Sequence, residues 1–262
     1  MKTPISSKIN NKILKVLNIV LGVNRSTPGC VLCYHSISNG GWEFSISPKI
    51  FERQIKYLIT KHKVMSLNKL INSRNNNMVA ITFDDGYEDV YNIALPILRK
   101  HNLPACVFVI GDRDNVNRSQ LGTSKRLLNI KQIKRLKKLG WEIGFHTKTH
   151  DELINIDKKQ LEHEIISGKK KLEKQLGVKI RYFAYPHGKY SDKVVGVVKR
   201  AGFDAAFTID GGAVSRSMIP FKYKRVTVDK YLNFENFGVL LTRWGLLYNS
   251  FHTRILKIKD ST

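Results

Sequence analysis

Short apolar runs alternate with amphipathic stretches along most of the chain. Cys30 to Tyr34, Met78 to Ile81, Pro104 to Val109, Trp141 to Phe145, Ala205 to Thr208 and Arg225 to Val228 are short, nearly continuous apolar segments that read as buried strands. Between them, apolar positions recur at helical spacing. Ser47-Pro48 opens one helix with a serine cap and proline in its first turn, and Phe51, Ile55, Leu58 and Ile59 form its buried stripe. Tyr87 to Lys100 is a second helix, and Ile130 to Leu139 a third that closes on Gly140. Asp157 to Leu176, capped by Asp157, and Tyr190 to Ala201, closed by Gly202, complete the series. Val64 to Leu67 is a short extended piece, and residues 111–128 form a long polar connection expected to act as a lid or wall. Six or seven strand-helix alternations predict an α/β fold in which parallel strands curl into an incomplete barrel, spanning residues 29–230.

The two ends follow a different pattern. Ile5, Ile9, Ile13, Val16, Leu17 and Val20 recur at helical spacing, while Lys8, Lys12 and Lys15 fall largely on another face. Residues 1–28 are therefore expected to form a basic amphipathic helix and linker, suited to an anionic membrane surface. A signal peptide is the competing reading, but Lys15 and Asn18 interrupt its apolar core and no small-x-small cleavage site follows. Residues 231–262 form a basic amphipathic tail in which Phe234 to Lys259 is helical, either packed on the barrel or lying at the membrane.

Charge sharpens this picture. The 262 residues carry 45 Lys and Arg against 21 Asp and Glu, a net charge of +24, so an anionic partner is expected. No helix-turn-helix, zinc-finger spacing or Arg/Gly tract accompanies the charge, and nucleic acid is not expected as that partner. The three cysteines, Cys30, Cys33 and Cys106, make no disulfide framework and suit a reducing compartment. Cys30 and Cys33 sit three apart in a strand, face opposite ways, and read as small packing residues.

The chemistry concentrates at Thr82-Phe83-Asp84-Asp85-Gly86. Two adjacent carboxylates close a buried strand, at the end where α/β folds build sites, and a turn at Gly86 lets both face one cavity. Such a pair calls for a cation. His146-Thr147-Lys148-Thr149-His150 follows the Trp141 to Phe145 strand and offers two imidazoles. One Asp with two His can hold a metal and leave positions open for water and substrate.

These two segments, in this order and roughly sixty residues apart, closely resemble the first two signature motifs of the polysaccharide deacetylases, carbohydrate esterase family four. The resemblance runs from about Val31 to Val228. It implies a distorted, incomplete (β/α) barrel of about seven parallel strands. It also implies one divalent metal ion, zinc with cobalt or nickel as alternatives, held by Asp85, His146 and His150, with Asp84 as catalytic base. Tyr34-His35-Ser36-Ile37, with Phe51 and Gln54, resembles the branch acting on poly-N-acetylglucosamine and other surface polysaccharides. There His35 would protonate the leaving nitrogen. Arg181 to Gly188 resembles the Phe-Ala-Tyr-Pro-x-Gly motif of that branch. By that likeness Tyr185, Pro186 and His187 form the substrate and oxyanion loop, and Arg181 orients Asp84.

Two departures stand out. No Leu-x-x-x-His histidine lies between Asp204 and Asp229, and Phe207-Thr208-Ile209-Asp210 lacks the family's tryptophan. The implied activity is metal-dependent N-deacetylation of an N-acetylated amino sugar. The substrate would be a surface glycan or an undecaprenyl-phosphate-linked precursor. The alternative is a non-catalytic glycan- or membrane-binding module with a vestigial metal site. The expected location is cytoplasmic and peripheral at the inner membrane. An exported protein, or one anchored by an uncleaved N-terminal segment, is the alternative.

Overall fold

A computed structural model gives the fold and describes residues 27–73, 76–214 and 219–259, together with Val16. The expected N-terminal helix lies, but for Val16, outside the described residues. Ten strands are present among those described: β1 (Cys30–Tyr34), β2 (Ser36–Ile37), β3 (Ser45–Ile46), β4 (Lys63–Val64), β5 (Met78–Phe83), β6 (Cys106–Val109), β7 (Glu142–Phe145), β8 (Tyr182–Ala184), β9 (Ala205–Phe207) and β10 (Val226–Thr227). Seven of them pair in the order β10-β1-β5-β6-β7-β8-β9, every pair parallel. β4 joins the lower end of β5, where β6 has not yet begun to pair. This is the expected incomplete (β/α) barrel.

The open seam lies between β9 and β10, and irregular backbone bridges it. Tyr223 N–H donates to Ala206 O (3.0 Å), Thr208 N–H to Tyr223 O (2.8 Å) and Gly211 N–H to Arg225 O (3.1 Å). The chain just before β10 is thereby pinned to β9 and its exit.

Alternation along each strand divides the core in two. Cys30, Leu32 and Tyr34 face the helix layer, whereas Val31 joins Ala80, Cys106, Phe108, Ala184, Ala205 and Phe207 inside the barrel. Small residues such as Ala80, Ala184 and Ala205 leave room there for large groups, Phe108, Phe207 and Arg225 among them. Gly144 on β7 is part of this arrangement: a Cβ on it would lie 2.3 Å from the Phe108 ring.

The helices start where polar caps are available. α1 (Pro48–Lys61) is capped by Ser47, whose side chain accepts from Ile50 N–H. α2 (Leu67–Asn72) is held at its first turn by Glu142, which accepts from Leu67 and Asn68 N–H at 2.7 and 3.0 Å. The expected Tyr87 to Lys100 helix is present over residues 88–100, with a π-helical stretch (Val90–Ala94) inside it that leads into α3 (Leu95–Lys100). Pro96 explains the widening, because it supplies no N–H to the preceding turn and crowds its carbonyl. α4 (Ile130–Lys138) begins with a complete capping box between Asn129 and Gln132. α5 (Lys158–Glu162), capped by Asp157 as expected, passes through a second π-helical stretch (His163–Ser167) into α6 (Gly168–Leu176). α7 (Asp192–Arg200) follows β8.

The tail is two helices rather than one, α8 (Phe234–Leu240) and α9 (Arg243–Lys259). Thr242 breaks it by accepting from Gly245 N–H (3.1 Å), and Gly245 lets the helices touch where a Cβ would lie 2.1 Å from Val239 O. Leu246, Asn249 and Thr253 of α9 are buried against the segment that follows β9. Among the described residues no helix is long and apolar enough to cross a membrane.

Candidate active site

Asp84 and Asp85 leave β5 at the carboxyl end of the barrel. Asp84 N–H extends the ladder by donating to Tyr34 O (2.9 Å), after which Asp85 (φ 65°) and Gly86 (φ 73°) both adopt the left-handed conformation. The turn thus begins at Asp85, one residue earlier than expected, and this swings its side chain to the same side as that of Asp84. A larger residue at Gly86 would be strained, by the left-handed backbone and by a Cβ 3.0 Å from Val109 Cγ1.

β7 delivers His146, and the next four residues coil back so that His150 joins it. Thr147 (φ 63°) and His150 (φ 71°) are both left-handed, and His150 N–H donates to Thr147 Oγ1 at 3.0 Å. A buried carboxylate braces this strained loop: Glu164, in the second π-helical stretch, accepts from Thr149 N–H and Thr149 Oγ1, each at 2.9 Å. The sequence offered no role for Glu164. The expected lid is pinned to the same loop, through Gly111, Asp112 and Asn117 N–H donating to Thr147, Lys148 and Thr149 carbonyls. It is a fixed wall there.

Asp85, His146 and His150 converge on one point. Asp85 Oδ1 lies 3.3 Å from His146 Nε2 and 3.2 Å from His150 Nε2, and among the described residues it makes no conventional hydrogen bond. Donors about 2.1 Å from a common ion would be separated by roughly 3.0–3.4 Å. The cluster therefore fits a divalent ion. His146 Nδ1 faces Ala184 O at 2.9 Å, which fixes the tautomer and leaves Nε2 as the ligand atom. Burial works against charge on Asp85, but the two imidazoles hold its carboxyl well below the usual range.

Asp84 belongs to a different set. Arg225 Nη1 and Nη2 donate to its Oδ1 and Oδ2 at 2.6 and 2.7 Å, a bidentate pair that is wholly buried. Arg225 is held in turn by Thr208 O (3.2 Å) and Thr82 Oγ1 (3.2 Å), and its guanidinium lies 5.1 Å from the Phe108 ring centre. Burial raises the Asp84 carboxyl, but Arg225 and His146 outweigh it and keep the group ionised below its ordinary value. Arg181, expected in this role, is elsewhere. Its side chain is 52% exposed and pairs with Asp204 near the start of β9, at the opposite end of the strands. In the sequence Arg225 stands out only as the first residue of a strand.

His35 leaves β1 beside Asp84, its ring tilted against Phe44 at 4.7 Å and edge-on to Trp42 at 6.1 Å. Burial lowers its pKa, with Asp85 and Asp84 opposing. The Tyr185–Pro186–His187 loop divides. His187 (φ 55°) brings its ring within 4.9 Å of the His150 ring, and burial lowers its pKa to about 4. Pro186 is buried beneath it. The Tyr185 side chain, expected to contribute to the site, lies in the core instead: it packs on Phe183 and Tyr190, and its hydroxyl donates to Phe221 O at 3.0 Å.

A buried carboxylate paired with arginine thus stands beside an Asp-His-His cluster that fits a divalent ion, at the mouth of an incomplete (β/α) barrel. The polysaccharide deacetylase family model matches residues 71–206, and the chain belongs to that family of hydrolases acting on amide C–N bonds. A poly-beta-1,6-N-acetyl-D-glucosamine N-deacetylase of Staphylococcus aureus is 31% identical over 220 residues, covering 77% of this chain and 72% of the relative. The crystal structure of a polysaccharide deacetylase from Bacillus cereus superposes with a TM-score of 0.69 at 27% identity, over 83% of this chain and 70% of that one. IcaB from Ammonifex degensii shares the fold, with a TM-score of 0.68 at 24% identity over 86% of this chain and 97% of that one.

Proposed function

We propose that this chain is a metal-dependent N-deacetylase of a glycan containing N-acetylglucosamine. The observation that carries the reading is the division of labour between neighbours: Asp85 faces two imidazoles, while Asp84 is kept ionised by Arg225. The named activity of the Staphylococcus relative supports the substrate class. A divalent cation, zinc foremost, would activate the attacking water and polarise the acyl oxygen.

The chain's own groups supply the rest. Asp84 accepts the proton of the water, and Arg225 keeps it oriented and unprotonated until then. The loop at His187 closes the site on the far side of His150 and sits where backbone donors can meet the oxyanion. His35 is the group placed to return a proton to the leaving nitrogen. Half-buried beside Trp42 and Phe44, with its pKa lowered by desolvation, it would take that proton from Asp84 or solvent during turnover.

We place this activity at an anionic membrane surface. Trp244, Leu247 and Phe251 form one outward stripe on α9, 37, 52 and 65% exposed, with Arg243 and Arg254 beside it. A second copy of a chain carrying +24 would be repelled, whereas a bilayer of anionic lipid would be attracted. Flotation with vesicles of anionic and of neutral lipid tests this. Binding to the anionic vesicles alone, weakened in Phe251→Ser, is expected; equal binding to neither would remove the location.

For the activity itself, amine release is measured on N-acetylglucosamine oligomers and on lipid-phosphate-linked N-acetyl sugars. Release that stops with chelator and returns with zinc, cobalt or nickel is expected on at least the oligomers. Absence of release from every substrate by metal-loaded protein would favour the binding-module reading instead.

A further inference from the structure

β1 carries a residue that the proposed mechanism does not use. Cys33 is wholly buried inside the barrel, and its thiol donates to Asp84 Oδ2 at 3.3 Å. His35, two residues on, is on the same side of the site. One atom each from Cys33, His35 and Asp84 lie within 4.8 Å of one another. His35 Nδ1 is buried, and among the described residues it has no hydrogen-bond partner.

A thiol, an imidazole and a carboxylate in this arrangement are not a set that base catalysis requires. They are a set that a thiophilic cation recognises. We infer that Cys33, His35 and Asp84 form a second, inhibitory site for such a cation, zinc above all, beside the Asp85–His146–His150 cluster.

The geometry needs little change. The sulfur-oxygen separation of 3.3 Å is already close to the roughly 3.5 Å that separates tetrahedral neighbours around zinc. The His35 ring must close by a smaller distance than the present spread of the three donors. On binding, the Cys33 S–H bond breaks, a sulfur-metal bond forms, and the proton leaves to water, with no oxidation or reduction. The sulfur donor favours a soft ion. Arg225 already pairs with Asp84, so the new thiolate offsets one of the two charges that the incoming dication brings. Magnesium or calcium, which prefer oxygen, would not take this set.

Inhibition follows because one ion would occupy both the base and the histidine beside it. That consequence rests on the proposed role of Asp84, whereas the binding does not. Cobalt titration of the full chain separates the two. The first equivalent fills a site without sulfur. The second is expected to bring a thiolate-to-cobalt charge-transfer absorption in wild type and in Cys30→Ala, and none in Cys33→Ala or Cys33→Ser. Two variants are used so that a folding defect in one does not decide the matter, with thermal melts as control.

Amine release at limiting and at excess zinc is then compared within each protein, so that any change in basal rate cancels. Wild type should fall by roughly 10²-fold as base and acid are withdrawn, and the Cys33 variants by far less. A second equivalent that binds without the absorption, or an absorption that persists in both Cys33 variants, would overturn the site. An absorption as expected in a protein that releases no amine would leave the site standing and defeat the proposed function.

Discussion

Three buried carboxylates at one end of this barrel meet three different fates. Asp85 faces His146 and His150, and its charge is held by the two imidazoles. Asp84, its neighbour in the chain, is gripped by both terminal nitrogens of Arg225. Asp229, four residues beyond Arg225, accepts from Tyr231 N–H (2.9 Å) but has no partner for Oδ2 among the described residues, and burial raises it to about 7. Burial works against charge in all three, and what differs is the cation. A carboxylate with a cation stays ready to take a proton, and one without a cation already holds its proton near neutral pH.

Removing the cation from Asp84 should have the largest effect. Arg225→Met leaves the Asp84 carboxylate buried and uncompensated, and chemical denaturation is expected to show a loss of about 3–5 kcal/mol. Arg225→Lys should recover little of it, because a single ammonium cannot make the bidentate pair. A midpoint unchanged in Arg225→Met would break the contrast between Asp84 and Asp229.

Asp229 sharpens the contrast from the other side. Its folded pKa is raised above the unfolded one, so its contribution is fully present below about pH 4 and lost as pH rises through about 7. The loss amounts to at most about 4 kcal/mol. Asp229→Asn should flatten that slope in melting temperature against pH and stabilise the protein above pH 7. Asp84 has the opposite sign: its lowered pKa gives stability present above its unfolded value and lost as pH falls through the folded one.

Glu164 tests the bracing of the metal loop. Glu164→Gln keeps its shape but weakens the paired grip on Thr149, for an expected loss of about 1–2 kcal/mol. It should also weaken metal affinity by roughly 10–100-fold, read by competition with a chelator dye. The smallest effect belongs to Arg181. Its exposed pair with Asp204 should be worth less than about 1 kcal/mol, so Arg181→Ala should leave both stability and amine release nearly unchanged. A large loss of activity there would restore Arg181 to the site.

The contrast also explains what was legible in the sequence. Asp84-Asp85-Gly86 and His146 to His150 are contiguous motifs on a strand-turn pattern, so their chemistry and much of the barrel are legible along the chain itself. Arg225 meets Asp84 across 141 positions only because β10 returns beside β1 and the seam closes on β9. Its signal was an arginine opening an apolar strand, where alternation places positions 225 and 227 on one face. Arg181 drew the assignment because it stands next to a recognisable loop, although the start of β8 is the wrong end of a parallel strand for the site. Alternation did place Cys30 and Cys33 on opposite faces, but only the register of β1 on β5, with Tyr34 beside Phe83, puts Cys33 near Asp84. The π-helical stretches and the break at Thr242 depend on backbone competition that apolar spacing does not register.

The central claim is that two adjacent carboxylates hold separate offices, one for the metal and one for the proton. Bound zinc per chain and amine release, measured together for Asp84→Asn and Asp85→Asn, test it most directly. Asp84→Asn should keep its zinc and lose turnover, while Asp85→Asn should lose the zinc and turnover with it. Loss of zinc from Asp84→Asn to the same extent, or turnover surviving in it, would contradict the account.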